Sequence, residues 1–102
     1  MTPELRYAKR AVRQIAAAAS WWTENRPLAP MMFERELAHA LRTIQESSTV
    51  FAELKTTKAK GIRRVLMARS RYHLYWHMIE DGTVVEILAC WHTSRGRNPP
   101  LR

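Results

Sequence analysis

The chain reads as a single α+β domain, a helix hairpin followed by a small antiparallel β-sheet, and three observations predict it. Apolar residues recur every three or four positions through two stretches of the first half, broken at Asn25-Arg26-Pro27. Three β-prone runs lie end to end in the second half, at 61–67, 71–76 and 84–92. Glu80-Asp81-Gly82 marks a hairpin between the last two, because Asp-Gly accepts the positive φ angles of a tight turn. At 102 residues, without repeats or a low-complexity tract, the whole of 1–102 is expected to form one domain around one core.

Taken in order, residues 4–8 alternate apolar and polar and can form a short strand. From Lys9 to Asn25 the spacing turns helical, and Val12, Ile15, Ala16, Ala19 and Trp22 fall on one stripe. Pro27 ends this helix by disfavouring helical geometry in the residue before it. A second helix should begin near Ala29 or Pro30, since proline suits a first turn, and should bury Phe33, Leu37, Ala40, Leu41 and Ile44. Ser47-Ser48-Thr49 closes it, and the short link makes the pair an antiparallel hairpin. Residues 49–61 connect to the meander, with a short extended piece at 50–54. Strand alternation places Tyr72, Leu74, Trp76 and Met78 on the core face and His73, Tyr75 and His77 on the other. Trp76 and Trp91 are expected to be buried, and Asn98-Pro99-Pro100 stops the last strand.

Charge is unevenly distributed. Lysine plus arginine number 17 against 9 acidic residues, a net +8. Residues 1–54 hold 7 basic and 6 acidic side chains (+1), whereas 55–102 hold 10 and 3 (+7). Such a one-sided field favours an anionic partner, either nucleic acid or an acidic protein. One cysteine, Cys90, allows no internal disulfide and fits a reducing cytoplasm. No apolar run approaches the roughly 20 residues that span a bilayer, so no membrane role is expected. Met1-Thr2-Pro3-Glu4 lacks the basic start of a signal peptide.

Most catalytic chemistries find no purchase. His73 and His77 have a zinc-like spacing for a helix, but on a strand their Cα atoms stand ~13 Å apart. Cys90 and His92 share a strand face without a second ligand pair, so no metal is expected. The three glycines are scattered and form no phosphate-cradling loop, Cys90 sits in an apolar strand, and Glu80 and Asp81 lie in a turn. No cofactor is therefore expected. The basic set of Lys55, Lys58, Lys60, Arg63, Arg64, Arg69, Arg71, Arg95 and Arg97 remains, with His73, His77 and His92 among it. Interleaved aromatics suit RNA, although an acidic protein groove would meet the same charges.

The order of these pieces resembles the RelE/ParE family of toxins from type II toxin–antitoxin systems. The likeness rests on Trp22-Thr23-Glu24-Asn25-Arg26-Pro27-Leu28-Ala29-Pro30 and Phe33-Glu34-Arg35-Glu36-Leu37. It continues in Gly61-Ile62-Arg63-Arg64-Val65-Leu66, Arg71-Tyr72-His73-Leu74-Tyr75-Trp76 and Ile87-Leu88-Ala89-Cys90-Trp91-His92-Thr93-Ser94-Arg95. That resemblance implies a growth-arresting toxin neutralised by a cognate antitoxin, a small acidic protein such as a ParD-like one. It leaves two targets, because one fold carries both activities. ParE-like members inhibit DNA gyrase, and RelE-like members cleave messenger RNA on the ribosome.

Against the RelE pattern, Arg64 is kept but its same-face neighbour is Leu66. His73 follows Tyr72, Thr93 takes the closing arginine position, and Pro99 stands near the expected tyrosine. The expectation is therefore a ParE-like gyrase inhibitor that is not an enzyme, with a ribosome-dependent endoribonuclease as the alternative. If it is a nuclease, Arg64, His73, His92 and Arg95 are the catalytic candidates. The target is expected to meet Arg63, Arg64, Arg71, His92, Arg95 and Arg97. Trp21, Trp22, Met31 and Met32 exceed what two helical stripes need to bury, and some of them are expected to form an apolar dock for an antitoxin helix.

Overall fold

A computed structural model describes residues 2–55 and 60–101; Lys58 of the basic set lies outside the described residues. The order is β1 (Glu4–Tyr7), α1 (Lys9–Asn25), α2 (Met32–Ser47), β2 (Arg63–Met67), β3 (Tyr72–Ile79), β4 (Val84–His92) and a 3₁₀ turn at Thr93–Arg95. Both helices pack on one face of a four-stranded sheet ordered β1-β4-β3-β2.

The sheet is mixed rather than wholly antiparallel. β2–β3 and β3–β4 are the expected antiparallel pairs, but β1 runs parallel to β4, pairing Glu4 through Tyr7 with Val84 through Ile87. The reason is the intervening helix pair, which carries the chain across the sheet and lets the two strands point the same way. At the far edge, Glu53 bridges Arg63 and the Leu54 N–H donates to the Ile62 carbonyl, the short extended piece read from sequence.

The α1 stripe is rotated from its expected phase. Ala11, Ile15, Ala18 and Trp22 face the core, whereas Val12 is 53% exposed and Ala16 lies outside. Small alanines let the helix approach the sheet closely, so they take the buried line ahead of the larger valine. Trp22 is fixed by its indole N–H, which donates to the Ala29 carbonyl at 2.9 Å and shapes the link. α2 starts at Met32, two residues after the proline, and buries Phe33, Ala40 and Ile44 as expected.

Trp76 is fully buried on the helix side with Leu74, Ile87 and Cys90, and meets Phe51 edge-on at 5.2 Å. β4 then carries one surplus residue: Tyr75 opposes Ala89 while Trp76 opposes Ile87, leaving Leu88 unpaired. Such a bulge reverses side-chain parity beyond it. Leu88, Ala89 and Trp91 therefore reach the open face of the sheet, where with Ile62 and Tyr75 they form a second, smaller core. Leu54 and Leu101 pack against it.

Candidate functional site

The open face carries a cleft of about 370 Å3 lined by Arg64, His73, Tyr75, Trp91, His92, Thr93, Gly96, Arg97 and Asn98. Strand pairing assembles it. Arg64 opposes Tyr75 across β2–β3, and His73 opposes Trp91 across β3–β4. No carboxylate lines it. Arg64 Nη1 donates to the Tyr75 hydroxyl at 3.3 Å, which in turn donates to Asn98 Oδ1 at 3.4 Å, so a polar relay crosses the floor.

The tail is held by Trp91. Its indole N–H donates to the Arg97 carbonyl at 2.8 Å. The guanidinium of Arg95 lies 4.1 Å, and that of Arg97 5.6 Å, from the ring centre. Gly96, at φ 69°, makes the turn between them, a conformation that disfavours any side chain. Cation–π contacts of this kind contribute about 0.5–1 kcal/mol each at exposed sites. Arg95 does not line the cleft; it is part of the Trp91 stack.

The titration of His73, in the cleft, is displaced. Burial lowers its pKa, and the charges of Arg64 and Arg71 lower it further, so the ring is neutral at pH 7 and able to accept a proton. His92 is oriented differently. Its Nδ1 accepts from the Ser94 N–H at 3.1 Å and from the Ser94 hydroxyl at 2.8 Å, which places the ring proton on Nε2. Its register partner is Tyr72, on the helix side, so His92 stands at the rim shared by both faces.

The six residues expected to meet a target therefore divide. Arg64, His92 and Arg97 line the cleft, Arg95 flanks it, and Arg71 occupies the β2–β3 turn at φ 67°. Arg63 points to the helix side, donating to the Phe51 carbonyl at 2.6 Å and lying 3.6 Å from Glu53, and it holds the 51–54 segment. That placement removes Arg63 from the cleft surface, because neighbouring strand residues point to opposite faces. Tyr75, Trp91 and Asn98 were absent from the sequence-derived set. Alternation had already placed Tyr75 beside His73; nothing local marks Asn98, which arrives by the return of the tail.

Cys90 is buried on the helix side, its thiol pushed up to about 12 by that burial, and it offers no nucleophile. Among the described residues no group of three or more metal-ligating side chains gathers, and no helix is long and apolar enough to cross a membrane.

A second depression, of about 650 Å3, lies over the α1–α2 link and α2, lined by residues including Leu28, Met31, Met32, Arg35, His39 and Arg69. Leu28 is fully exposed and Met31 48% exposed; Trp21 is 45% exposed nearby, while Trp22 belongs to the core.

No protein-family model matches the chain, and no curated protein matches it in sequence. Solved structures do match in shape. A chromosomal ParDE TA system from P. aeruginosa superposes with a TM-score of 0.70 at 12% identity, covering 89% of this chain and 96% of that one. The toxin–antitoxin complex RelBE2 from Mycobacterium tuberculosis gives 0.63 at 16%, covering 90% and 99%. A mutant of the E. coli toxin RelE in the free state gives 0.59 at 16%, covering 93% and 87%. Two helices on a four-stranded mixed sheet are thus the RelE/ParE toxin fold.

Proposed function

We propose that the chain is the toxin of a type II toxin–antitoxin pair, acting in the cytoplasm by inhibiting DNA gyrase and neutralised by an acidic cognate antitoxin. The observation that carries the choice of target is the furnishing of the open cleft. It is basic, with Arg64 and Arg97 in its wall and no carboxylate, yet Leu66, 40% exposed, stands on the same strand face as Arg64. Thr93 lines the cleft where the nuclease pattern has an arginine, and Pro99 is buried near the expected tyrosine. Arg95 is committed to Trp91. A ribonuclease needs a base, a phosphate clamp and a proton donor to the leaving oxygen, and this wall supplies charge more readily than it supplies that set.

One observation favours the second reading, a ribosome-dependent endoribonuclease. His73 is kept neutral beside Arg64, the arrangement a general base next to a phosphate clamp would have. Two assays separate the readings: DNA supercoiling by gyrase with added protein, and primer extension on messenger RNA with ribosomes. Inhibited supercoiling, growth arrest with DNA damage, and little effect of His73→Ala or His92→Ala are the expected results. Codon-positioned cleavage reduced about 10²–10⁴-fold by those substitutions, with supercoiling untouched, would overturn the gyrase reading.

A further inference from the structure

On the helix side of the sheet end lies a notch of about 230 Å3 lined by Trp21, Tyr72, His92 and Ser94. α1 supplies Trp21 near its C-terminal end, and the register pair Tyr72–His92 closes the other wall, the two rings meeting edge-on at 4.9 Å and 89°. Tyr72 is itself held from behind by Phe33, edge-on at 5.5 Å.

Three donors on the residues that line this notch have no protein partner among the described residues. They are the Tyr72 hydroxyl, the Trp21 indole N–H, and the His92 Nε2–H that is left when Nδ1 accepts from Ser94. Cations flank them. Arg26 lies 5.2 Å from the Trp21 ring centre, and the charge of Arg95 acts on the Tyr72 phenol against the upward push of burial and of Cys90. No carboxylate lines the walls. Donors with no carboxylate to meet them, inside a positive rim, suit an anion that accepts hydrogen bonds.

The size and shape decide which anion. Pockets for drug-sized ligands run to about 300–1,000 Å3, so this notch fits a single side chain better than a nucleotide. Its flat aromatic walls suit a planar group, and the positive charge sits at the rim rather than along a track that a phosphate backbone could follow. We infer that the notch between α1 and the end of the sheet is a receptor for one carboxylate, an aspartate or glutamate side chain of the protein that neutralises this chain. The identity of that protein rests on the toxin reading; the carboxylate chemistry does not.

The test uses the full chain labelled with 15N and N-acetylglutamate as the probe, with N-acetylglutamine and inorganic phosphate as comparators. The Trp21 indole N–H resonance, assigned by its loss in Trp21→Phe, should move with N-acetylglutamate in the millimolar range and stay still with N-acetylglutamine. Tyr72→Phe keeps the ring and removes one donor, so binding should weaken about tenfold, the loss of one hydrogen bond to a charged group. No movement with N-acetylglutamate, or an equal response to N-acetylglutamine, overturns the inference. Equal or tighter binding of phosphate overturns the carboxylate assignment and makes the notch a phosphate site. A chain that binds the probe but never arrests growth keeps the notch and loses the toxin reading.

Discussion

Glu36 ties α2 to the β2–β3 turn, and removing its carboxylate should loosen the fold by an amount the geometry sets. One oxygen accepts the Arg69 N–H at 2.7 Å and the other the Ser70 N–H at 3.0 Å. Arg71, two residues on from Arg69, is held at φ 67°, a strained conformation for a non-glycine residue that persists only where its surroundings hold it. Hydrogen bonds to a charged group contribute about 1.5–3 kcal/mol each, and partial exposure puts this pair at the lower end. Arg69 is exposed, so its N–H can turn to water, whereas Ser70 is buried and its N–H would lose its partner. Glu36→Ala should therefore lose about 2–3 kcal/mol, and Glu36→Gln, which keeps one acceptor, about half of that. Ser70→Ala keeps the backbone donor and deletes a hydroxyl that is buried without a hydrogen-bond partner among the described residues. It should be neutral or mildly stabilising. Urea denaturation followed by circular dichroism measures all three. Because each kcal/mol is worth ~4–8 °C in a domain of this size, thermal melts should agree. A Glu36→Ala variant within about 0.5 kcal/mol of the parent, the range of an ordinary surface substitution, would refute the clamp.

Other consequences follow from the core, the cleft and the link. Trp76→Ala empties the centre of the larger core and should lose about 3–5 kcal/mol, enough to lower expression sharply; an equally stable variant would contradict the strand register. His73 should titrate below the ordinary histidine value of 6.5 in an NMR pH series, and Arg64→Ala should move that midpoint upward by removing one of its causes. Since the unfolded chain takes up this proton first, the contribution of His73 to stability is present above about pH 6.5 and declines as pH falls through the window down to the folded value. Trp21→Ala and Met31→Ala should weaken binding of the antitoxin proposed above by roughly 2 kcal/mol each while leaving the melt unchanged. Calorimetric affinities equal to the parent's would move the dock elsewhere.

Legibility in the sequence followed the range of the physics involved. Pro27, the Asp81-Gly82 turn and the spacing of Phe33, Leu37, Ala40 and Ile44 act within one or two turns of chain, and those elements lie close to where they were expected. The phase of α1 differs from the expected one because four of its eight consecutive residues from 12 to 19 are alanine, and Val12 draws the stripe towards itself. Parallel pairing of β1 with β4 joins residues about eighty positions apart and leaves no local trace. Parity placed Arg64, His73 and Tyr75 correctly up to the bulge; beyond it, the apolar run from Val84 to Trp91 conceals where the count resets. Asn98 and Leu101 reach the open face through a tail whose course depends on Trp91.

The surplus residue at Leu88 has a wider reach than its one unpaired position. Everything before it on β4 is laid down in one frame and everything after it in the other. Straightening the strand there with every residue kept would carry Cys90 to the open face and send the Trp91 indole among the helices, where Leu74 and Trp76 already fill the space. Arg95 and Arg97 would lose the surface on which they rest, and the tail its anchor. The wall of the cleft and the filling of the core are thus two readings of one strand, and neither can be re-spaced without rewriting the other.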